Sequence, residues 1–246
     1  MRNFWCFATI VIILIVSPKA LALSPSEQEK LQVLLLRAKQ YRSVLEIDKQ
    51  LVALNEALQI DPKNTDILDL RAKAYRDITR YDKAVEDYTT AIKISPKINF
   101  FRDRANCYFM VKNGAASIAD YTKALSMNMS DAAVWRSRGR TYMRMNKDTE
   151  AIRDFEKCLS LIPPHTDRLE HETMNVLGKL YLKTHQFEKA ITLFTKLIRN
   201  FPDLGKGYYG RAEAYKNLGK LDLAKADEAK GREMDYLLDP GLKPRK

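Results

Sequence analysis

The chain repeats itself at a period of 34 residues, and that self-similarity limits its fold more than any other feature. In a frame starting at Ala132, Trp135, Arg138, Gly139, Tyr142, Ala151, Phe155, Cys158 and Pro163 fall at positions 4, 7, 8, 11, 20, 24, 27 and 32. A frame from Thr65 puts Leu68, Arg71, Ala72, Tyr75, Ala84, Tyr88, Ala91 and Pro96 at the same places. Frames from Leu31, Ile98, His171 and Gly205 repeat the pattern, the first weakly and the last decaying in its second half. Positions 4, 7, 8 and 11 share one face of a helix, and 20, 24 and 27 share one face of the next. Small residues at 8, 20 and 27 let the two backbones approach, and aromatic residues at 4, 11 and 24 fill the space between them. Asn113-Gly114, Asn146-Lys147 and Leu218-Gly219 are suitable stops between the paired helices. A proline near position 32 ends the second helix.

This arrangement of Trp, Gly, Tyr, Ala, Phe and Pro resembles the tetratricopeptide repeat, in six units that cover nearly all of the chain after its leader. The resemblance implies an all-α fold, a right-handed superhelical solenoid of six helix-turn-helix units with a long concave surface. The expected domains are a signal peptide at 1–22, a repeat array at 31–238 and a disordered basic tail at 239–246. Within the array the units run 31–64, 65–97, 98–131, 132–165, 171–204 and 205–238. Thr166 to Glu170 is an insertion read as a longer loop. Glu228 and Gly231 give the last unit the polar outer helix of a terminal cap.

The leader reading rests on Arg2, the apolar run Phe4 to Val16, and the small-x-small pattern Ala20-Leu21-Ala22. A run of 13 residues is short of the roughly twenty a membrane-spanning helix needs. Cleavage before Leu23 would leave an exported protein, periplasmic or secreted, with the bacterial periplasm the leading compartment; an uncleaved anchor is the alternative. No stable membrane span is expected after cleavage.

Two internal covariations bear on the role of the charges. Position 7 is Arg in five units, and position 23 is Asp in four. The unit with Leu177 at position 7 has Leu193 at 23, and the first unit sets Arg37 opposite Ala53. Arg71–Asp87, Arg104–Asp120, Arg138–Asp154 and Arg211–Asp227 are therefore expected as structural ion pairs across each hairpin. They are set apart from ligand binding.

The formal charge of +11 points to an anionic partner without choosing one. The resemblance directs positions 2, 5, 9, 12 and 13 of each first helix into the concave surface. Those slots carry twelve basic and five acidic residues, a net of +7. The most uniformly basic stretch holds Arg102, Asn106, Arg136, Arg140, Asn175, Lys179 and Lys183, the expected partner-binding groove. A solvated helix face is the bland alternative. Some family members grip an acidic C-terminus with a two-carboxylate clamp. Arg102 and Asn106 resemble its opening pair, but Ser137, Glu172 and Val176 depart from the rest.

Chemistry is not indicated. His171-Glu172 lacks the second His of a zinc-protease helix, since Asn175 stands there, and a metal shared by His165 and His171 is a remote option. Cys107 and Cys158 fall on helices that are not neighbours in the stack and are expected as buried free thiols. There is no phosphate-binding glycine loop, no G-x-S-x-G and no C-x-x-C. The reading is a non-enzymatic scaffold without cofactor or metal, binding a protein or peptide of acidic or polar character and no nucleic acid. A structural subunit docking by its convex face or termini is the alternative.

Overall fold

The computed structural model describes residues 23–163 and 168–238, which form helices and turns without a strand among them. The predicted leader 1–22, His165 and the tail 239–246 lie outside the described residues. Two compact units divide between Pro96 and Lys97. The first holds two hairpins: α1 (Pro25–Ser43) with α2 (Ile47–Ile60), and α3 (Thr65–Asp77) with α4 (Tyr81–Ile94). The second holds four: α5 (Ile98–Met110) with α6 (Gly114–Met127), α7 (Ala132–Arg144) with α8 (Asp148–Leu161), α9 (Arg168–Lys183) with α10 (Phe187–Asn200), and α11 (Gly205–Asn217) with α12 (Leu221–Leu238).

Each helix begins and ends for local reasons. Ser24 and Glu27 form a reciprocal capping box at the start of α1, with Pro25 in its first turn. Asn64, Asn113 and Asp131 cap α3, α6 and α7 with side-chain oxygens that accept backbone N–H groups. All six hairpin turns use one device: the residue at position 15 adopts a left-handed conformation. These are Leu45, Thr79, Lys112, Asn146, His185 and Gly219, with φ between +57° and +71°. At the α7–α8 turn, Lys147 N–H then reaches back to the Tyr142 carbonyl (2.9 Å) and Asn146 N–H to that of Met143 (3.0 Å), closing a Schellman-type end. His185, read from sequence as a solvated turn residue, is one of these hinges and is exposed.

Packing follows the repeat pattern. Tyr88, Tyr121, Phe155 and Phe194, all at position 24, are fully buried, as are Ala84, Ala91, Ala151 and Ala190. Phe194 shows why small residues recur: a methyl added at Gly178 or at Gly210 would run into its ring. Cys107 and Cys158 are buried free thiols, and burial pushes the Cys158 thiol up.

One sequence expectation needs correction. Arg168, Leu169 and Glu170, placed in the inserted loop, form the first turn of α9. Glu170 is 3% exposed and its carboxylate accepts from Asn200 Nδ2 at 3.0 Å. A carboxylate near the start of a helix also complements the helix dipole, which favours adding this turn to α9.

Candidate partner-binding surface

The arginines at position 7 make forked bonds to aspartate. Arg138 Nε and Nη2 each donate to one oxygen of Asp154 at 2.8 Å. Arg71 meets Asp87 at 2.9 and 2.6 Å, Arg104 meets Asp120 at 2.7 and 2.8 Å, and Arg211 meets Asp227 at 2.7 and 2.8 Å. The bonds to aspartate hold Arg71, Arg104 and Arg211 above the ordinary arginine value. The aspartates are buried, so these forks are unavailable to a ligand.

Sequence comparison missed the fork's third arm. Arg71 Nη1 donates to Asn55 Oδ1 (2.7 Å), Arg138 Nη1 to Thr122 Oγ1 (3.0 Å) and Arg211 Nη1 to Thr195 Oγ1 (3.0 Å). Each acceptor stands at position 25 of the preceding repeat. One guanidinium thus ties its own hairpin together and anchors it to the one before. Between the fourth and fifth repeats, Glu156 takes position 25 and Leu177 takes position 7. Tyr181 Oη donates to Glu156 Oε1 there instead, at 2.6 Å. Burial, and then this carboxylate, raise the phenol's pKa.

The basic row lies on α5, α7 and α9 and is knitted together by contacts within the second unit. Arg136 Nη2 donates to Glu172 Oε2 at 2.5 Å, and Arg168 Nε to Glu172 Oε1 at 2.6 Å. Bonds from Arg168 first, then Arg136, hold the Glu172 carboxyl below its usual range. Lys183 pairs with Asp148 at 2.7 Å, and Arg102 with Asp103 at 3.1 Å. Arg144 Nη1 donates to the Phe109 carbonyl at 2.8 Å. Asn106 accepts from the Tyr121 hydroxyl at 2.6 Å. Burial pushes that hydroxyl's pKa up to about 12.

Two members of the row differ. Arg140 and Lys179, both at position 9 of consecutive first helices, are exposed and make no ion pair among the described residues. The Arg140 guanidinium lies over the Phe109 ring at 5.7 Å. Asn175 Oδ1 and Arg136 Nε are buried atoms without a hydrogen-bond partner among the described residues. Beside them Lys206 Nζ donates to His171 Nδ1 at 3.0 Å. Burial, with the positive charges of Arg168 and Lys179, holds Lys206 below the ordinary lysine value. Arg168 and Glu172 were not read from sequence as a pair. The signal was their i, i+4 spacing, available only once α9 is allowed to start early.

No group of three or more His, Cys, Asp or Glu able to hold a metal occurs among the described residues. No described helix is long and apolar enough to cross a membrane.

Family profiles described as tetratricopeptide repeat match residues 65–98, 132–165 and 175–231, together about half of the chain. The chain is a tetratricopeptide-repeat protein. Its repeats are 24% identical over 127 residues to the human mitochondrial import receptor subunit TOM70, covering 51% of this chain and 21% of that one. They are 21% identical over 142 residues to Hsp70-Hsp90 organizing protein 3 of Arabidopsis thaliana, covering 56% and 24%. The alignments span less than a quarter of those relatives. Among solved structures, the C-terminal part of a TPR repeat-containing protein from Cytophaga hutchinsonii superposes with a TM-score of 0.70 at 21% identity. That match covers 83% of this chain and 79% of that one. At this identity the likeness shows the fold, an all-α tetratricopeptide solenoid. Tetratricopeptide-repeat proteins bind other proteins and are known for interaction, not catalysis.

Proposed function

We propose that this tetratricopeptide-repeat protein is a non-enzymatic scaffold whose basic row binds an acidic or polar segment of an envelope or secreted partner. The observation that carries the reading is the pair Arg140 and Lys179, exposed and without a counter-ion among the described residues, on successive first helices. Their neighbours Arg136 and Lys183 are already engaged by Glu172 and Asp148. Rigid helices fix where the two cations emerge, while ordering each exposed side chain on a ligand carboxylate costs about 0.5–1.5 kcal/mol. Exposed charge pairs contribute only ~0.2–1 kcal/mol each, so affinity requires several together. The leader-like segment 1–22 supports an exported partner.

Titrating a fluorescein-labelled glutamate-rich decapeptide into the protein tests this. Binding should weaken as salt rises, because screening acts over about 8 Å at physiological ionic strength. Arg140→Glu with Lys179→Glu should abolish binding without altering helix content, since neither cation holds an ion pair among the described residues. Equal binding by this variant would reject the groove.

A structural subunit docking through its terminal hairpin is the second reading. It is favoured by Leu36, Val44, Leu45 and Val52, which are 57–81% exposed on α1, α2 and the turn between them.

A further inference from the structure

Two repeats lack the Arg–Asp fork, and both open a cavity at the place the fork would fill. In three forked repeats the guanidinium lies beside the tyrosine at position 11: Arg71 at 5.9 Å from the Tyr75 ring, Arg104 at 5.7 Å from Tyr108, and Arg138 at 5.8 Å from Tyr142. In the fifth repeat the fork is replaced by Leu177 and Leu193. A cavity of about 360 Å³ lies there between Tyr181 and the residues Glu188, Lys189, Thr192, Leu193 and Lys196 of α10. Lys189 Nζ stands 5.5 Å from the Tyr181 ring centre. In the first repeat, where Ala53 faces Arg37, a cavity of about 240 Å³ is lined at the same slots by Tyr41, Lys49, Val52, Ala53 and Glu56.

Their rims differ. Lys49 is already bonded to Glu46 at 3.0 Å, and Arg37 and Glu56, which also line that cavity, add one charge of each sign. In the fifth repeat Lys189 and Lys196 flank Leu193 and have no carboxylate partner among the described residues, so with Glu188 the rim stays net positive. This cavity is also separate from the basic row. Tyr181 stands two residues after Lys179, about 160° round the helix at 100° per residue.

We propose that the fifth-repeat cavity is a second docking site, for a partner peptide that inserts one bulky apolar side chain against Leu193 and Tyr181 and sets an adjacent carboxylate on Lys189 or Lys196. Loss of the fork supplies the apolar floor, and the two lysines supply the charge that selects an acidic neighbour.

The test uses the full chain and two fluorescein-labelled peptides, Gly-Asp-Glu-Leu-Glu-Asp-Gly and its counterpart with serine for leucine. The leucine peptide should bind saturably and shift the Leu193 methyl signals in NMR spectra, and the serine peptide should bind at least tenfold more weakly. Leu177→Arg with Leu193→Asp, which rebuilds the fork of the other repeats, should keep the helix content and weaken leucine-peptide binding at least tenfold. Thr192→Trp, which fills the cavity from its exposed rim, should do the same if the rebuilt fork fails to fold. Lys189→Glu with Lys196→Glu should weaken binding and remove the Leu193 methyl shift; all of these measurements are made in the Arg140→Glu, Lys179→Glu background, where the basic row no longer takes acidic peptides, so this site and the basic row fail independently. Unchanged binding by the fork-restored and Thr192→Trp variants, equal binding of the two peptides, or no saturation at millimolar peptide would overturn the proposal. So would sedimentation showing that the wild type self-associates and that the fork-restored variant does not, because the occupant would then be a second copy of the chain.

Discussion

Removing Asp154 should damage the fourth repeat far more than removing both halves of its fork. Asp154 is 1% exposed, and the Arg138 side chain keeps 13% exposure between Asp154, Thr122 and the Trp135 ring 4.7 Å away. Breaking a buried pair by deleting one partner costs about 3–5 kcal/mol, because the survivor is left buried and unmatched. The residual exposure of Arg138, and its contacts with Thr122 and Trp135, place Asp154→Ala near the lower end, about 3 kcal/mol. Arg138→Leu strands the better-buried carboxylate and should cost at least as much. The double change Arg138→Leu with Asp154→Leu copies the Leu177–Leu193 solution of the fifth repeat and should stay within about 1 kcal/mol of wild type. Native-state amide exchange is the suitable assay, since it reports opening helix by helix where a single melting curve would average over repeats. A loss of about 3 kcal/mol, at 1.4 kcal/mol per decade, makes α8 amides exchange roughly a hundredfold faster. The reasoning fails if Asp154→Ala changes α8 exchange less than threefold, or if the double variant opens as readily as the single one.

Three further outcomes can be measured directly. The Glu172 carboxyl, with its folded pKa below the unfolded value, contributes stability above the ordinary carboxylate range and loses it as pH falls through the folded pKa. Its side-chain carbon signal should titrate below the ordinary glutamate range and move up in Arg168→Ala. Lys206 is linked to pH in the same sense: its depressed pKa disfavours the fold while the amine is charged, relief comes as pH rises through the folded value, and a bound anion should raise that value. At the α3–α4 turn, Thr79 is β-branched at φ +59°, so Thr79→Gly should stabilise the first unit by about 0.5–1 kcal/mol in urea unfolding. An unchanged or lower midpoint would reject the assignment of strain there.

The helices were legible because every core slot recurs, so one ambiguous window is corrected by five others. The forks were legible for the same reason: Arg and Asp, or Leu and Leu, change together within a repeat. Their third arm was equally visible and went unread. Asn55, Thr89, Thr122 and Thr195 at position 25 all precede an arginine at the next position 7, whereas Glu156 precedes Leu177. The fork's covariation lies within a hairpin, whereas this bond runs between hairpins. What the sequence could not show is which groove cations are already neutralised. Arg136 and Glu172 are 36 residues apart, and their meeting depends on the relative placement of α7 and α9 and on side-chain reach.

The arms from Arg71, Arg138 and Arg211 to the preceding hairpin also bear on how such an array can grow. A segment copied from position 1 to position 34 carries its own Arg and Asp, but it takes its anchor from whatever repeat lies upstream. Duplicated behind a repeat with Thr or Asn at position 25 it meets a neutral acceptor; duplicated behind the repeat of Glu156 it meets a carboxylate instead. The heritable module is therefore offset from the visible hairpin, running from the middle of one second helix to the middle of the next. Insertions and deletions that respect this boundary carry each guanidinium together with its acceptor, and those cut at the loops leave the acceptor to whichever residue stands at position 25 upstream.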